Sequence, residues 1–139
     1  MFVGREKELS ALGRLYASDK FEFVVVYGRR RVGKTALIRE FVKDKDAVFF
    51  TGVETNSRQN LENFSKCILE YSTGMVADTV FGSFQSALEH VFSLAKTKRT
   101  VLVIDEYPYV ARASKSFAST LQLLIDTNKD TSKLFLILC

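Results

Sequence analysis

Cysteine, proline and glycine are scarce in this chain of 139 residues, which has two, one and seven of them respectively. Cys67 and Cys139 are too few for a disulfide framework or a cysteine-based zinc site. With so little glycine and proline there is no low-complexity linker, and no internal repeat is visible. Long hydrophobic runs are missing too. The longest, residues 23–27 and 134–139, fall far short of the roughly 20 residues that span a bilayer, which excludes a membrane-spanning segment. Met1-Phe2-Val3-Gly4-Arg5-Glu6 turns charged at once and lacks the basic-then-apolar order of a secretory signal, so a cytoplasmic location is expected. Excess charge of one sign is small. Twenty Lys and Arg stand against 16 Asp and Glu, a formal +4, and three of the arginines share one loop, so the balance alone does not argue for nucleic acid.

What is present is 47% apolar, 26% charged and 12% aromatic content, the proportions of one soluble globular unit. Leu9, Leu12, Leu15 and Tyr16 recur at helical spacing and predict a first helix from Arg5 to about Ser18. Residues 21–27 read as a buried strand, followed by a glycine-bearing loop and a helix over 35–42. Residues 47–53 make a second strand. Asn56 with Gln59 resembles a capping box opening a helix with Leu61, Phe64, Ile68 and Tyr71 on one face, stopped by Gly74. A stripe of Phe84, Leu88, Val91, Phe92 and Ala95 precedes a third strand over 100–104. Phe117, Leu121, Leu124 and Ile125 mark a last helix, and residues 134–138 a fourth strand. Strands that are apolar throughout and alternate with helices predict an α/β fold with a parallel sheet covered on both faces. A core-type strand at Cys139 with no polar tail leads us to expect a unit over 1–139 that continues in a longer protein.

The chemistry concentrates in one loop. Gly28-Arg29-Arg30-Arg31-Val32-Gly33-Lys34-Thr35 spells glycine, four residues, then Gly-Lys-Thr, between a strand and a helix. Gly28 and Gly33 let the backbone turn its N–H groups onto phosphate oxygens, and the helix start aims its positive dipole end at the same anion. Lys34 supplies a charge for the outer phosphates, and the Thr35 hydroxyl can ligate Mg²⁺. Arg29, Arg30, Arg31 and Val32 enter the binding site as loop backbone. The three guanidinium groups raise the local potential, but a solvated basic edge or a subunit contact is an equal reading, and they receive no catalytic role.

Val101-Leu102-Val103-Ile104-Asp105-Glu106 ends an apolar strand in two carboxylates. With the loop, Asp105 is expected to support Mg²⁺ and Glu106 to deprotonate the attacking water. His90 lies off the apolar stripe with no partner at ligand spacing and reads as a surface residue. Asn128-Lys129-Asp130 nearly spells a guanine-recognition element, but its Asp comes one position early and it precedes a strand, so guanine specificity is rejected. Tyr107, Pro108 and Tyr109 read as a packed turn.

Phe2-Val3-Gly4-Arg5-Glu6, the loop, and Ile104-Asp105-Glu106-Tyr107-Pro108 together resemble the archaeal-type P-loop ATPases of the AAA+ superfamily, related to origin-recognition and STAND ATPases. The resemblance implies a three-layer P-loop fold of the ASCE/AAA+ type. Its strand order would be that of the segments beginning at 21, 134, 100 and 47, and a sensor, a fifth strand and a helical lid would lie beyond Cys139. It nominates Phe2, Val3, Gly4 and Arg5 as the segment beside the adenine, and Thr51 or Glu54 as a polar group coupled to Glu106. ATP and Mg²⁺ are the implied ligands. A homo-oligomer or further domains are the implied partners, with nucleic acid only for a parent protein. The leading function is ATP hydrolysis coupled to conformational change, in which Lys34 and Glu106 are catalytic. The alternatives are a nucleotide-gated switch or assembly module with little turnover and, ranked last, a small-molecule phosphotransferase.

Overall fold

The computed structural model describes residues 6–27, 33–74 and 80–139. Ten elements follow in chain order: α1 (Glu6–Tyr16), β1 (Glu22–Val25), α2 (Lys34–Val42), β2 (Ala47–Thr51), α3 (Ser57–Thr73), α4 (Phe84–Leu94), β3 (Thr100–Asp105), α5 (Tyr107–Ala113), α6 (Phe117–Asn128) and β4 (Leu134–Leu138). The four strands form one parallel sheet in the order β1-β4-β3-β2, as the family resemblance implies.

Alternate residues of the central strands feed two cores. Leu102, Ile104, Leu134 and Leu136 join Val48 and Phe50 beneath α3, α4 and α6, where Phe50 stacks on Phe64 with ring centroids 4.9 Å apart. Val101, Val103, Phe135 and Ile137 face the other way, onto Leu12 of α1 and Ile38 and Phe41 of α2. The result is a three-layer α/β arrangement.

The expectation that every strand is buried on both faces holds only for β3 and β4. β1 and β2, the outer strands among the described residues, alternate in burial because successive side chains point to opposite faces and those faces are unequally covered: Val24 packs on the core beneath α1 and α2, whereas Phe23 and Val25 are exposed. β1 is also shorter than expected: Phe23 is 44% exposed and Tyr27, beyond the strand, 85%. Residues 107–109 open the short helix α5 instead of forming a turn. Pro108 is tolerated there because first-turn N–H groups have no intrahelical acceptor. The N-cap of α3 is Asn56, which accepts the Gln59 N–H at 2.8 Å, but the Gln59 side chain donates to Asn63 instead of closing a box. Gly74 ends that helix at φ 71°, as expected.

Arg99, just before β3, locks the layers together at the end of the sheet away from Asp105. Its guanidinium donates to the carbonyls of Lys20, Lys133 (2.8 Å) and Leu15 (3.0 Å) and lies 5.3 and 5.1 Å from the ring centroids of Tyr16 and Phe135. Its Nε has no partner among the described residues, which offsets part of that gain. Arg99→Ala is expected to cost about 2–4 kcal/mol of stability, read as a lower midpoint in urea unfolding. A midpoint unchanged from the parent would show that these contacts contribute nothing net.

Candidate functional site

Because all four strands are parallel, their carboxyl ends open on one edge of the sheet, where α/β proteins bind ligands. Gly33 stands there at φ 82°, ψ 20°, a left-handed conformation that glycine adopts without a Cβ penalty, and its carbonyl accepts the Leu37 N–H at 2.9 Å to start α2. Leu37, Ile38 and Phe41 bury one side of α2 and hold the helix to the sheet. Lys34 and Thr35 therefore occupy its first turn, both half-buried, among N–H groups without intrahelical acceptors.

Asp105, the last residue of β3, is 3% exposed. The Thr35 hydroxyl donates to Asp105 Oδ2 at 2.9 Å, and the Glu106 N–H donates to Oδ1 at 3.0 Å. Residues 70 apart in sequence thus meet between the start of α2 and the end of β3. Glu106 adopts φ 54°, ψ 40°, unusual for a residue with a side chain and worth roughly 1–2 kcal/mol of strain. Its neighbours hold that conformation. The Glu106 carbonyl accepts the Tyr109 N–H at 3.1 Å, and the Tyr107 N–H donates to the Cys139 carbonyl at 2.9 Å. Burial, with the Asp105 carboxylate next in importance, pushes the Cys139 thiol up to about 11, so it stays neutral at ordinary pH.

Phe2, Val3, Gly4, Arg5, Gly28, Arg29, Arg30, Arg31 and Val32 lie outside the described residues. Thr51 registers opposite Asp105 across β2 and β3 with an exposed side chain, and Glu54 is exposed beyond it. His90, read from the sequence as a surface residue, is half-buried beside the Phe81 ring, centroids 5.4 Å apart. The Asn128 side chain donates to the Leu124 carbonyl at 2.8 Å and finishes α6.

Two residues that the sequence reading passed over shape the site. Gly52 continues the β2–β3 ladder, its N–H donating to the Asp105 carbonyl at 2.8 Å. A Cβ on Gly52 would lie 2.6 Å from Val110 Cγ2 and 2.8 Å from the Glu106 carbonyl oxygen. Asn60 of α3 is fully buried, and its amide both accepts the Val53 N–H (3.0 Å) and donates to the Val53 carbonyl (3.1 Å). An isolated glycine inside an expected strand, here residues 47–53, is a signal of close backbone approach and could have identified Gly52; Asn60 carries no such local signal.

Among the described residues no three His, Cys, Asp or Glu side chains cluster as a metal cage. One hydroxyl and one carboxylate 2.9 Å apart form instead the kind of partial oxygen set that suits Mg²⁺, which keeps waters and takes its remaining ligands from substrate phosphates.

Known proteins resemble this chain along its length. The family described as an ATPase domain predominantly from Archaea matches residues 2–139. An uncharacterised protein of Methanocaldococcus jannaschii is 30% identical over 141 residues, covering 99% of this chain and 29% of its own length. An uncharacterised ATP-binding protein of the same organism is 49% identical over 45 residues, 32% of this chain and 76% of its own. A chain in the structure of Drosophila ORC bound to DNA matches 99% of this chain and 38% of its own with a TM-score of 0.67; at 21% identity, that likeness concerns the fold alone. This chain spans under a third of the first relative's length. With the matched residues running across both the loop and the paired acids, the chain belongs to the family of ATPase domains found predominantly in Archaea.

Proposed function

We propose that this chain binds Mg²⁺-ATP between the start of α2 and the end of β3 and supports its hydrolysis. The observation that carries the reading is the 2.9 Å hydrogen bond from Thr35 to Asp105, which joins the phosphate-loop helix to the acidic strand. Family membership supports it, as does the ATP-binding description of two archaeal relatives, one from M. jannaschii and one from Pyrococcus abyssi.

In this reading the backbone of residues 28–33 and the first turn of α2 receive the phosphates, and Lys34 adds its ammonium to the outer ones. Thr35 and Asp105 would hold Mg²⁺, and the ion would supply charge neutralisation at the phosphate oxygens. Phe2, Val3, Gly4 and Arg5 lie beside the adenine. Glu106 accepts a proton from water as its oxygen attacks the γ-phosphorus, and the bond to the β–γ bridging oxygen breaks to release ADP and phosphate. The energy is spent on conformational change in attached domains or in copies of the chain, in a cytoplasmic protein; any nucleic-acid role belongs to the larger protein.

Calorimetry with ATP, and phosphate release with water as the only acceptor, test the reading in the protein that carries this domain. ATP should bind with Mg²⁺ present, and phosphate release should stop in EDTA. Failure to bind ATP under either condition removes the proposal.

A further inference from the structure

Hydrolysis requires more than a carboxylate near the phosphates, because a catalytic base misplaced by about 1 Å can lose a hundredfold in rate. Glu106 sits in a backbone conformation that its own side chain disfavours, so something outside residue 106 must hold it. Part of that support comes from its own strand and from Cys139, through the bonds to Asp105 Oδ1 and from Tyr107. A further side is a wall of main chain at Gly52, which leads directly into Val53.

Gly52 forms that wall directly. Its φ lies outside the left-handed region, so what it supplies is space: the missing Cβ lets its backbone lie against the Glu106 carbonyl and Val110 of α5. Its N–H bond to the Asp105 carbonyl ties it to the residue before Glu106. The β2–β3 register ends at Thr51 and Asp105, and Val53 lies beyond it with no strand partner among the described residues. Asn60 takes that place. Its side-chain amide, with no solvent exposure, satisfies both the N–H and the carbonyl of Val53 much as a neighbouring strand would. A buried amide with both ends engaged on one residue is a rigid clip, since freeing either end strands a polar group without water.

We infer that Asn60 is a positioning residue for ATP hydrolysis: by clipping Val53 it holds the Gly52 backbone against the Glu106 carbonyl and so sets where the Glu106 carboxylate points. The inference rests on the reading of Glu106 as the base. Asn60 touches neither phosphate nor metal in this scheme and acts only through the wall.

The test compares Asn60→Ala, Glu106→Gln and the double variant in the protein that carries the domain, by single-turnover phosphate release and by calorimetry with ATP. Asn60→Ala should lower the rate about tenfold to a hundredfold while ATP affinity stays within about twofold. In the Glu106→Gln background, Asn60→Ala should change the residual rate by less than about twofold, because the group it positions is already disabled. A merely structural role predicts otherwise: affinity falls with the rate, or the residual rate drops by the same factor in both backgrounds, and either result overturns the inference. If Asn60→Ala does not fold, Gly52→Ala probes the other end of the wall and should show the same split between rate and affinity; a normal rate there overturns it as well. Full activity in Asn60→Ala with an inactive Glu106→Gln sinks this inference alone. A fully active Glu106→Gln removes the assignment of the base and this inference with it.

Discussion

Replacing Glu106 with glutamine should lower steady-state ATP turnover by about 10²–10⁴-fold and leave ATP affinity nearly unchanged. Glutamine keeps the length and shape of the side chain, so the backbone at φ 54°, held by Asp105, Tyr109 and Gly52, has no new reason to move. What it loses is the ability to accept a proton from water. The substitution also separates the leading function from its closest rival. A nucleotide-gated switch that depends on bound ATP more than on turnover would keep its biological output in Glu106→Gln, whereas a machine driven by hydrolysis would not. Phosphate release at saturating ATP, read beside calorimetry, checks the chemical half of this expectation. Turnover equal to that of the parent would mean that another group takes the proton.

The sequence is most readable where local pattern and global position coincide. β4 and the 101–104 stretch of β3 are apolar at every residue and buried because both faces are covered, and the stripes of α4 and α6 bury the residues that their spacing nominates. The family was legible for a related reason: phosphate binding demands glycine, lysine and a hydroxyl at fixed spacing, so such a motif is written locally, and the meeting of Thr35 with Asp105 is the part of the candidate site that the described residues display. Strand order is different. Nothing in the pattern of residues 134–138 says that they insert between β1 and β3; only the family resemblance supplied it. The outer strand is hard to read for the same reason, since Phe23 and Val25 look like core residues until the fold shows that their face of β1 is less covered than the face carrying Val24. Asn60 lies furthest from view. A polar residue inside a helix reads as solvent-facing, and its partner Val53 becomes a partner only when β2 packs beneath α3.

Removing the ammonium in Lys34→Ala should abolish ATP binding detectable by calorimetry, a loss of about a hundredfold or more in affinity. A hydrogen bond to a charged group is worth about 1.5–3 kcal/mol, and in the proposed site Lys34 would make more than one to the outer phosphates. The fold should survive. Alanine is the strongest helix former, and α2 is anchored by Leu37, Ile38 and Phe41 on its buried side, none of which Lys34 supports. Lys34→Arg is not expected to rescue, because a wide planar guanidinium cannot replace a compact ammonium in a first helical turn already occupied by the Thr35–Asp105 contact. Set beside Glu106→Gln, the variant separates binding from chemistry: Lys34→Ala loses binding and turnover with it, whereas Glu106→Gln keeps binding and loses turnover. Equal affinity in Lys34→Ala and the parent would place the nucleotide somewhere other than the start of α2, and the Thr35–Asp105 contact would then be a structural bond between helix and strand.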